Sequence, residues 1–239
     1  MKSEERRALL PNGEEIRYVL KRSSRRSTIA LRIDSGGLTV NAPTRAPLYR
    51  LEAVLADKAG WVRDKLAEML ARRAPARLWR DGETLPFLGG ELQLSVIPGR
   101  SRVQPVMADN RLWVETADAA DAAAVKTKVV KWYRAQAHTH FAERVALYAG
   151  RLNVPVPPLA LSNAASRWGS CNARGEVRLN WRLIKAAPHL IDYVVAHELA
   201  HLKHLDHSAA FWRTVALLYP GCLDVRRELK ATGHLYHTF

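Results

Sequence analysis

Up to about residue 116 the hydrophobic residues mostly alternate with polar ones over short runs bounded by turn formers; beyond it they recur mainly at helical spacing. Thr28–Ile33 alternates, Gly36-Gly37 can turn, and Leu38–Val40 returns, which predicts a hairpin. Phe87–Val96 reads as a second hairpin, and Val103–Met107 pairs with Leu112–Val114 through the turn formers Asp109-Asn110. The Arg25-Arg26 cluster before the first hairpin either continues its strand or lines a binding surface. One long helix interrupts these strands. Pro47 opens it, Leu51, Val54, Leu55, Val62, Leu66, Met69 and Leu70 form its stripe, and Pro75 ends it.

The second half reads differently. Residues 118–148 carry Val125, Val129, Trp132, Tyr133, Phe141 and Val145 on one side, with Gly150 as the stop. Trp132 and Tyr133 are read as core. After Pro155–Pro158, Glu176–Leu183 alternates, with Val177, Leu179, Trp181 and Leu183 on one face and Arg178, Asn180 and Arg182 on the other. Pro188 then suits the first position of a helix whose stripe is Ile191, Val195, Leu199 and Leu202, with Asp192 expected in the first turn. The pattern predicts an α+β chain of two regions. Residues 1–116 form a β-rich, basic region with one long helix, and residues 117–239 a helix–strands–helix–helix core.

At 239 residues the chain can bury one core or two. Its net charge of +14 is unevenly spread. Residues 1–80 hold 18 Lys/Arg against 9 Asp/Glu, residues 81–160 hold 9 against 8, and residues 161–239 hold 10 against 6. A basic N-terminal half suits an anionic partner, whether nucleic acid, membrane surface or acidic protein. Without aromatic interleaving or a nucleic-acid motif, a solvated basic face is the simpler reading. Cys171 and Cys222 make no disulfide framework, Met1–Arg7 precedes no apolar signal region, and no apolar run is long enough to insert in a membrane. The expected location is the reducing cytoplasm.

The chemistry concentrates in the helix that Pro188 opens, at His197-Glu198-x-x-His201. Side chains four apart stack on one helical face, about 5–6 Å apart, so His197 and His201 can share one tetrahedral metal. Glu198 sits a quarter-turn round, within reach of a water beside that metal. The stripe lies opposite His197, His201 and His204, and a structural role would not gather three histidines and a glutamate there. The third ligand is open. His204 follows His197 too far along the axis, Asp224 and Glu228 lie on a later helix, and His207 has the spacing of HExxHxxGxxH zinc enzymes, with His204 where those have glycine. His207 is favoured. His138 and His140 are two apart and share no helix face.

Further runs give the chain a family likeness. They are Arg22–Thr28, Lys58-Ala-Gly-Trp61, Leu85-Pro-Phe-Leu-Gly89, Trp132-Tyr133, Ser166-Arg-Trp-Gly-Ser-Cys171, Leu179-Asn-Trp-Arg-Leu183, the histidine helix and His207-Ser-Ala-Ala-Phe-Trp212. With these the chain resembles the YgjP-like zinc metallopeptidases, which share zincin fold logic with SprT-like and Wss-like proteases. The resemblance implies a small zincin-like core with the HExxH helix on a short sheet, one Zn2+ per chain on His197, His201 and His207, and Glu198 as the catalytic base. A protein or peptide substrate is expected.

Zinc would acidify water and polarise the carbonyl under attack, and Glu198 would move the proton. Tyr193 and Arg167 are candidates to steady the oxyanion, and Ser166–Cys171 or the 176–183 strand could pair with a substrate strand. Cys171 is read as packed rather than as a latch on the metal. Two other functions fit parts of the pattern. A phosphohydrolase of a nucleoside triphosphate would clamp phosphates with Arg167, Arg174, Arg178 and Arg182. A zinc-stabilised nucleic-acid-binding module would use the basic half, but needs no Glu198.

Overall fold

Ile16, Tyr18 and Leu20 of strand β2 (Glu15–Ser23) are buried while Glu15 and Arg17 face solvent, the period of two that puts one face of a strand on a core. The computed structural model describes residues 3–10, 13–34, 36–71 and 77–239. It divides into two units, Met1–Pro75 and Ala76–Phe239. In the first, β1 (Ser3–Leu9), β2, β3 (Ala30–Asp34) and β4 (Gly37–Pro43) form a sheet of order β1-β2-β4-β3, with β2 parallel to β4. The hairpin expected at Gly36-Gly37 is β3–β4, and Gly37 takes φ +93°, a conformation suited to glycine. The pattern predicted neither β1 nor β2, whose outward Glu and Arg residues read as a solvated run. Arg22 donates to the carbonyls of Pro43, Thr44 and Ala46 and so holds a loop, whereas Arg25 and Arg26 are exposed.

The single long helix is two, α1 (Leu48–Asp57) and α2 (Ala59–Ala71), separated at Lys58 with φ −101° and ψ 13°. Leu51, Leu55 and Val62 are buried on the sheet across this break. Because the apolar stripe stays in phase, periodicity could not reveal the interruption. Pro75 and the side chain of Leu70 lie outside the described residues.

The second unit begins with a sheet of order β5-β6-β8-β7, built from β5 (Thr84–Phe87), β6 (Gly90–Pro98), β7 (Val106–Ala108) and β8 (Arg111–Thr116). Both expected hairpins are present, turning at Leu88-Gly89 and Asp109-Asn110, all four residues with positive φ. This sheet belongs with the residues that follow it, so the boundary falls after Pro75 rather than after residue 116. The reason is packing. Leu85, Leu94, Leu112 and Val114 share one core with Val125, Val129 and Tyr133 of α3 (Ala122–Leu152). Leu88 and Gly89 also donate backbone N–H groups to the carbonyls of Ile184 and Lys185. A Cβ on Gly89 would lie 2.7 Å from the Cα of Ala187, so only glycine admits this approach.

Helix α3 is capped by Asp121, which accepts from the amides of Ala123 and Ala124, and it passes Gly150 to end at Asn153 with φ +53°. Three short strands follow: β9 (Leu159–Ser162), β10 (Gly169–Cys171) and β11 (Val177–Asn180), in the order β10-β11-β9. Only the first half of the alternating run 176–183 is strand, and Trp181–Lys185 forms a 3-10 turn. Asn180, expected on the polar face, is fully buried. Its amide donates to the carbonyls of Ala164 and Arg167, and its side-chain oxygen accepts from the Arg182 amide.

Helix α4 (Pro188–Ala200) packs against α3, β10, β11, α5 (Ala209–Leu218) and α6 (Cys222–Thr232). Ile191, Val195 and Leu199 are buried as expected, but so are Tyr193, Val194, Ala196 and Glu198, so the helix is enclosed nearly all round. Asp192 lies beyond the first turn and serves no dipole. Instead it receives both Nε and an Nη of Arg144 on α3 at 2.6 Å each, a bidentate pair that joins the two longest elements of this unit. Both side chains are largely shielded, at 29% and 17% exposure. Asp192→Ala leaves the guanidinium half-buried and unpaired, and is expected to destabilise the unit by about 2–3 kcal/mol. Urea unfolding of the full chain followed by tryptophan fluorescence measures this, and a change below about 0.5 kcal/mol would show that the pair contributes nothing.

Candidate metal centre

The geometry starts from where α4 stops. Leu202, Lys203 and His204 donate to the carbonyls of Leu199, Ala200 and again Ala200, so the last turn tightens and ends. None of residues 201–207 takes a positive φ, which is why the chain turns here without the glycine of the HExxHxxGxxH pattern. Asp206 then accepts from the Ser208 amide, and Ser208 caps α5 by accepting from the Phe211 amide. His207 is left at the entrance to α5, facing back toward α4.

His197, His201 and His207 each bring one ring nitrogen to within 4.8 Å of the others. The Nε2 atoms of His197 and His207 are 3.3 Å apart. Zn–N bonds of 2.0–2.1 Å in a tetrahedron place two nitrogens about 3.3–3.4 Å apart, a spacing that this pair already has, with the nitrogen of His201 within 4.8 Å of both. Nδ1 of His201 lies 3.0 Å from the carbonyl oxygen of His204, a bond that puts the proton on Nδ1 and leaves Nε2 for a metal. His204 thus contributes through its backbone. Asp224 binds Arg227 and Glu228 binds His189, so neither joins the cluster. His138 and His140 are not in it either.

Burial and neighbouring charge prepare the donors. His197 is pushed down to about 4, first by burial and then by His201, His207 and Arg226, so it is a neutral imidazole at physiological pH. His201 is also lowered, chiefly by burial. Glu198 is 6% exposed, and burial pushes its carboxyl up to about 7 against the opposing charge of Arg167. It packs on β10, where a Cβ at position 169 would lie 2.5 Å from Oε1, so Gly169 makes the room for this carboxylate. Both line a cavity of about 250 Å³, bounded also by Arg167, Trp168, Tyr193, Val194, His197 and Leu229. Tyr193 is buried beside His197, and burial raises its hydroxyl to about 12, which keeps it a proton donor. Among the described residues strand β10 is the edge of its sheet, with no strand paired on its outer side, whereas β11 is paired on both sides.

Some of the site was not anticipated. The Phe211 ring is fully buried and lies 4.9, 4.5 and 4.8 Å from the rings of His197, His201 and His207, so it backs the whole donor set. Trp212 lies 5.7 Å from His197 and 6.1 Å from His207. The signal was there in Phe-Trp four residues after His207, but nothing in the pattern said which way the rings face. Cys171 donates weakly to the Asn172 carbonyl, and burial and Glu198 both raise its thiol, which favours the packed reading. Arg182 is occupied by Phe239 and Asn163.

The YgjP-like metallopeptidase domain family matches residues 27–232. Two solved structures are similar over part of the chain. One is the metallopeptidase zymogen of Pyrococcus abyssi abylysin, with 21% identity over 39% of this chain and 95% of that one and a TM-score of 0.36. The other is the metallopeptidase zymogen of Methanocaldococcus jannaschii jannalysin, with 17% identity, 38% and 95% coverage, and a TM-score of 0.35. Comparison with curated proteins found no match.

Two outcomes follow from this geometry. His207→Ala removes a donor and is expected to weaken zinc binding by more than about 100-fold, whereas His204→Ala keeps the carbonyl and changes it by less than about 3-fold. Competition with a chromogenic chelator reads both, and the reverse order would reassign the third donor. The second concerns the metal-free chain. Glu198 carries a folded pKa of about 7 against an ordinary 4.5, so the folded state holds this proton more tightly than the unfolded one. Its contribution is complete below pH 4.5 and is lost as pH rises to about 7. Glu198→Gln removes that loss, so the variant should gain about 2–3 kcal/mol on the wild type across this window. His197, depressed in the folded state, acts with the opposite sign in both proteins and cancels in the difference. Urea titrations of chelator-treated protein at both ends of the window test this, and parallel pH profiles would refute it.

Proposed function

Because the chain belongs to the YgjP-like metallopeptidase family, we propose that it hydrolyses peptide bonds with one zinc ion held by His197, His201 and His207 and with Glu198 as the general base. The observation that carries this reading is the buried Glu198 carboxylate at the wall of a cavity it shares with His197, next to three converging imidazoles. Three protein donors suit a catalytic zinc, since structural sites are usually closed by four.

Zinc, when bound, supplies Lewis acidity that polarises the scissile carbonyl and acidifies water. The chain's own residues do the rest. Glu198, with its affinity for a proton raised by burial, takes one from the attacking water and returns it to the departing amide nitrogen. Tyr193, still protonated, is positioned at the cavity wall to donate to the developing oxyanion, and Arg167 adds positive charge there. The outer edge of β10 pairs with an extended substrate, laying its backbone past Glu198.

The phosphohydrolase reading is weakened by Arg182, which is spent on Phe239 and Asn163 instead of standing ready for phosphate. The free Cys171 and Cys222 favour the reducing cytoplasm as the place of action. Among the described residues no helix is long and apolar enough to cross a membrane. Exposed Arg25, Arg26, Arg45 and Arg50 leave the first unit suited to an anionic partner.

Glu198→Gln is expected to retain zinc and to lower kcat/KM on a complex peptide mixture by about 10²–10⁴-fold. Mass spectrometry of the cleaved peptides, with elemental analysis of the same samples, checks both halves. Release of phosphate from nucleoside triphosphates is assayed in parallel. Turnover there with no peptide cleavage would replace the peptidase reading, and full activity in the Gln variant would remove Glu198 from the mechanism.

A further inference from the structure

Trp168 forms part of the wall of the cavity beside His197 and Glu198, and its indole is only partly buried. Its backbone is fixed from one side, because the Trp168 carbonyl accepts from the Asn180 amide and the Asn180 side chain holds the carbonyls of Ala164 and Arg167. Its ring is held by something else. The imidazole of His237 stacks on it at 4.0 Å and 23°, and Tyr236 meets it at 6.3 Å. A Cβ on Gly233 would lie 3.1 Å from the indole nitrogen, so the 3-10 turn Gly233–His237 lies close against the ring.

That turn is anchored by a second set of contacts. Lys185 is 1% exposed, and its Nζ donates to the carbonyls of Tyr236 and Thr238. Burial, with Arg182 and Arg77, pulls this amine down to about 6. Arg182 Nε donates to the Phe239 carbonyl. The Phe239 ring lies 5.0, 5.4 and 6.0 Å from Trp79, Tyr133 and Trp181, with the Lys185 nitrogen 3.4 Å above its centroid. A lysine buried in this way, bonded to carbonyls of the 233–239 segment, makes sense only while the segment is docked.

We propose that the Gly233–Phe239 segment is a positioning element for substrate selection: it holds the Trp168 indole as one wall of the cavity beside His197 and Glu198, and thereby sets the size of the apolar side chain the cavity admits. The proposal rests on the peptidase reading above. The cavity's volume of about 250 Å³ is below the range of sites for drug-sized ligands, about 300–1,000 Å³, and is on the scale of one side chain. Its walls are mixed, with apolar surface from Trp168, Val194 and Leu229 and polar groups from Arg167, Tyr193, His197 and Glu198. Residues 236–239 are not among its lining, so they act through Trp168 rather than on a substrate.

The test has two arms on the full chain. In the first, the protein carries 5-fluorotryptophan, and the Trp168 fluorine signal is assigned by its loss in Trp168→Phe. His237→Ala is expected to shift or broaden that signal, and His237→Phe, which keeps a stacking ring, to leave it near its wild-type position. Phe239→Ala, acting on the anchor, should move Trp79, Trp181 and Trp168 together. In the second arm, zinc-loaded proteins cleave a peptide library read by mass spectrometry. His237→Ala is expected to admit larger side chains next to the cleaved bond and to raise KM about 2- to 10-fold, with kcat within about 2-fold and zinc content unchanged. His237→Phe should restore the wild-type profile. An unmoved Trp168 signal overturns the positioning claim. A moved signal with an unchanged cleavage profile overturns its consequence for selection. If the wild type cleaves no peptide at all, the peptidase reading has failed, and the selection claim falls with it; the fluorine arm still decides whether the segment positions Trp168.

Discussion

Burying a carboxylate without a partner costs several kcal/mol, and the second unit is arranged around one such group. Glu198 lies on a helix enclosed on nearly every side, and it lines the cavity it shares with His197. The same enclosure strips His197 of solvent and keeps its imidazole neutral. The two shifts run in opposite directions from one cause. Desolvation disfavours charge on both residues, which makes the glutamate a better base and leaves the histidine free to donate its lone pair.

Holding that arrangement requires buried and half-buried polar groups, each hydrogen-bonded to a backbone or to another side chain. Asn180 fixes the loop that carries Arg167 and Trp168, and Arg144 grips Asp192 at the middle of α4. Lys185 holds the segment behind Trp168. None of these touches the imidazole cluster. They define the positions of the elements that do, and their cost in desolvation is offset because each is hydrogen-bonded. Phe211 supplies the apolar counterpart, a single ring in contact distance of all three imidazoles.

The hairpin at Leu88-Gly89 links these layers. Its backbone bonds reach Ile184 and Lys185, and Gly89 sits against Ala187, the residue just before α4. A sheet that reads in sequence as part of an N-terminal β region therefore braces the entry of the histidine helix, and it cannot be separated from the unit that carries the site.

Local periodicity was enough to identify much of this protein. The i, i+4 spacing of His197 and His201, the alternation of β4 and β11, the apolar face of α3 and the turn formers at Gly36-Gly37 and Asp109-Asn110 are properties of neighbouring residues, and the chain follows them. The α+β class follows from their order. What tertiary structure decided is whatever depends on residues far apart in sequence. The helix break at Lys58 leaves the apolar phase intact, so no pattern records it. Asn180 and Asp192 look like surface residues until the loop and the helix they bind are brought beside them. The approach of His207 to His197 depends on a turn whose backbone needs no glycine, and the place of Trp168 depends on a segment some 65–70 residues further along. Spacing along a helix is set by its 3.6-residue repeat, whereas the meeting of distant side chains is set by which buried surfaces the whole chain can close.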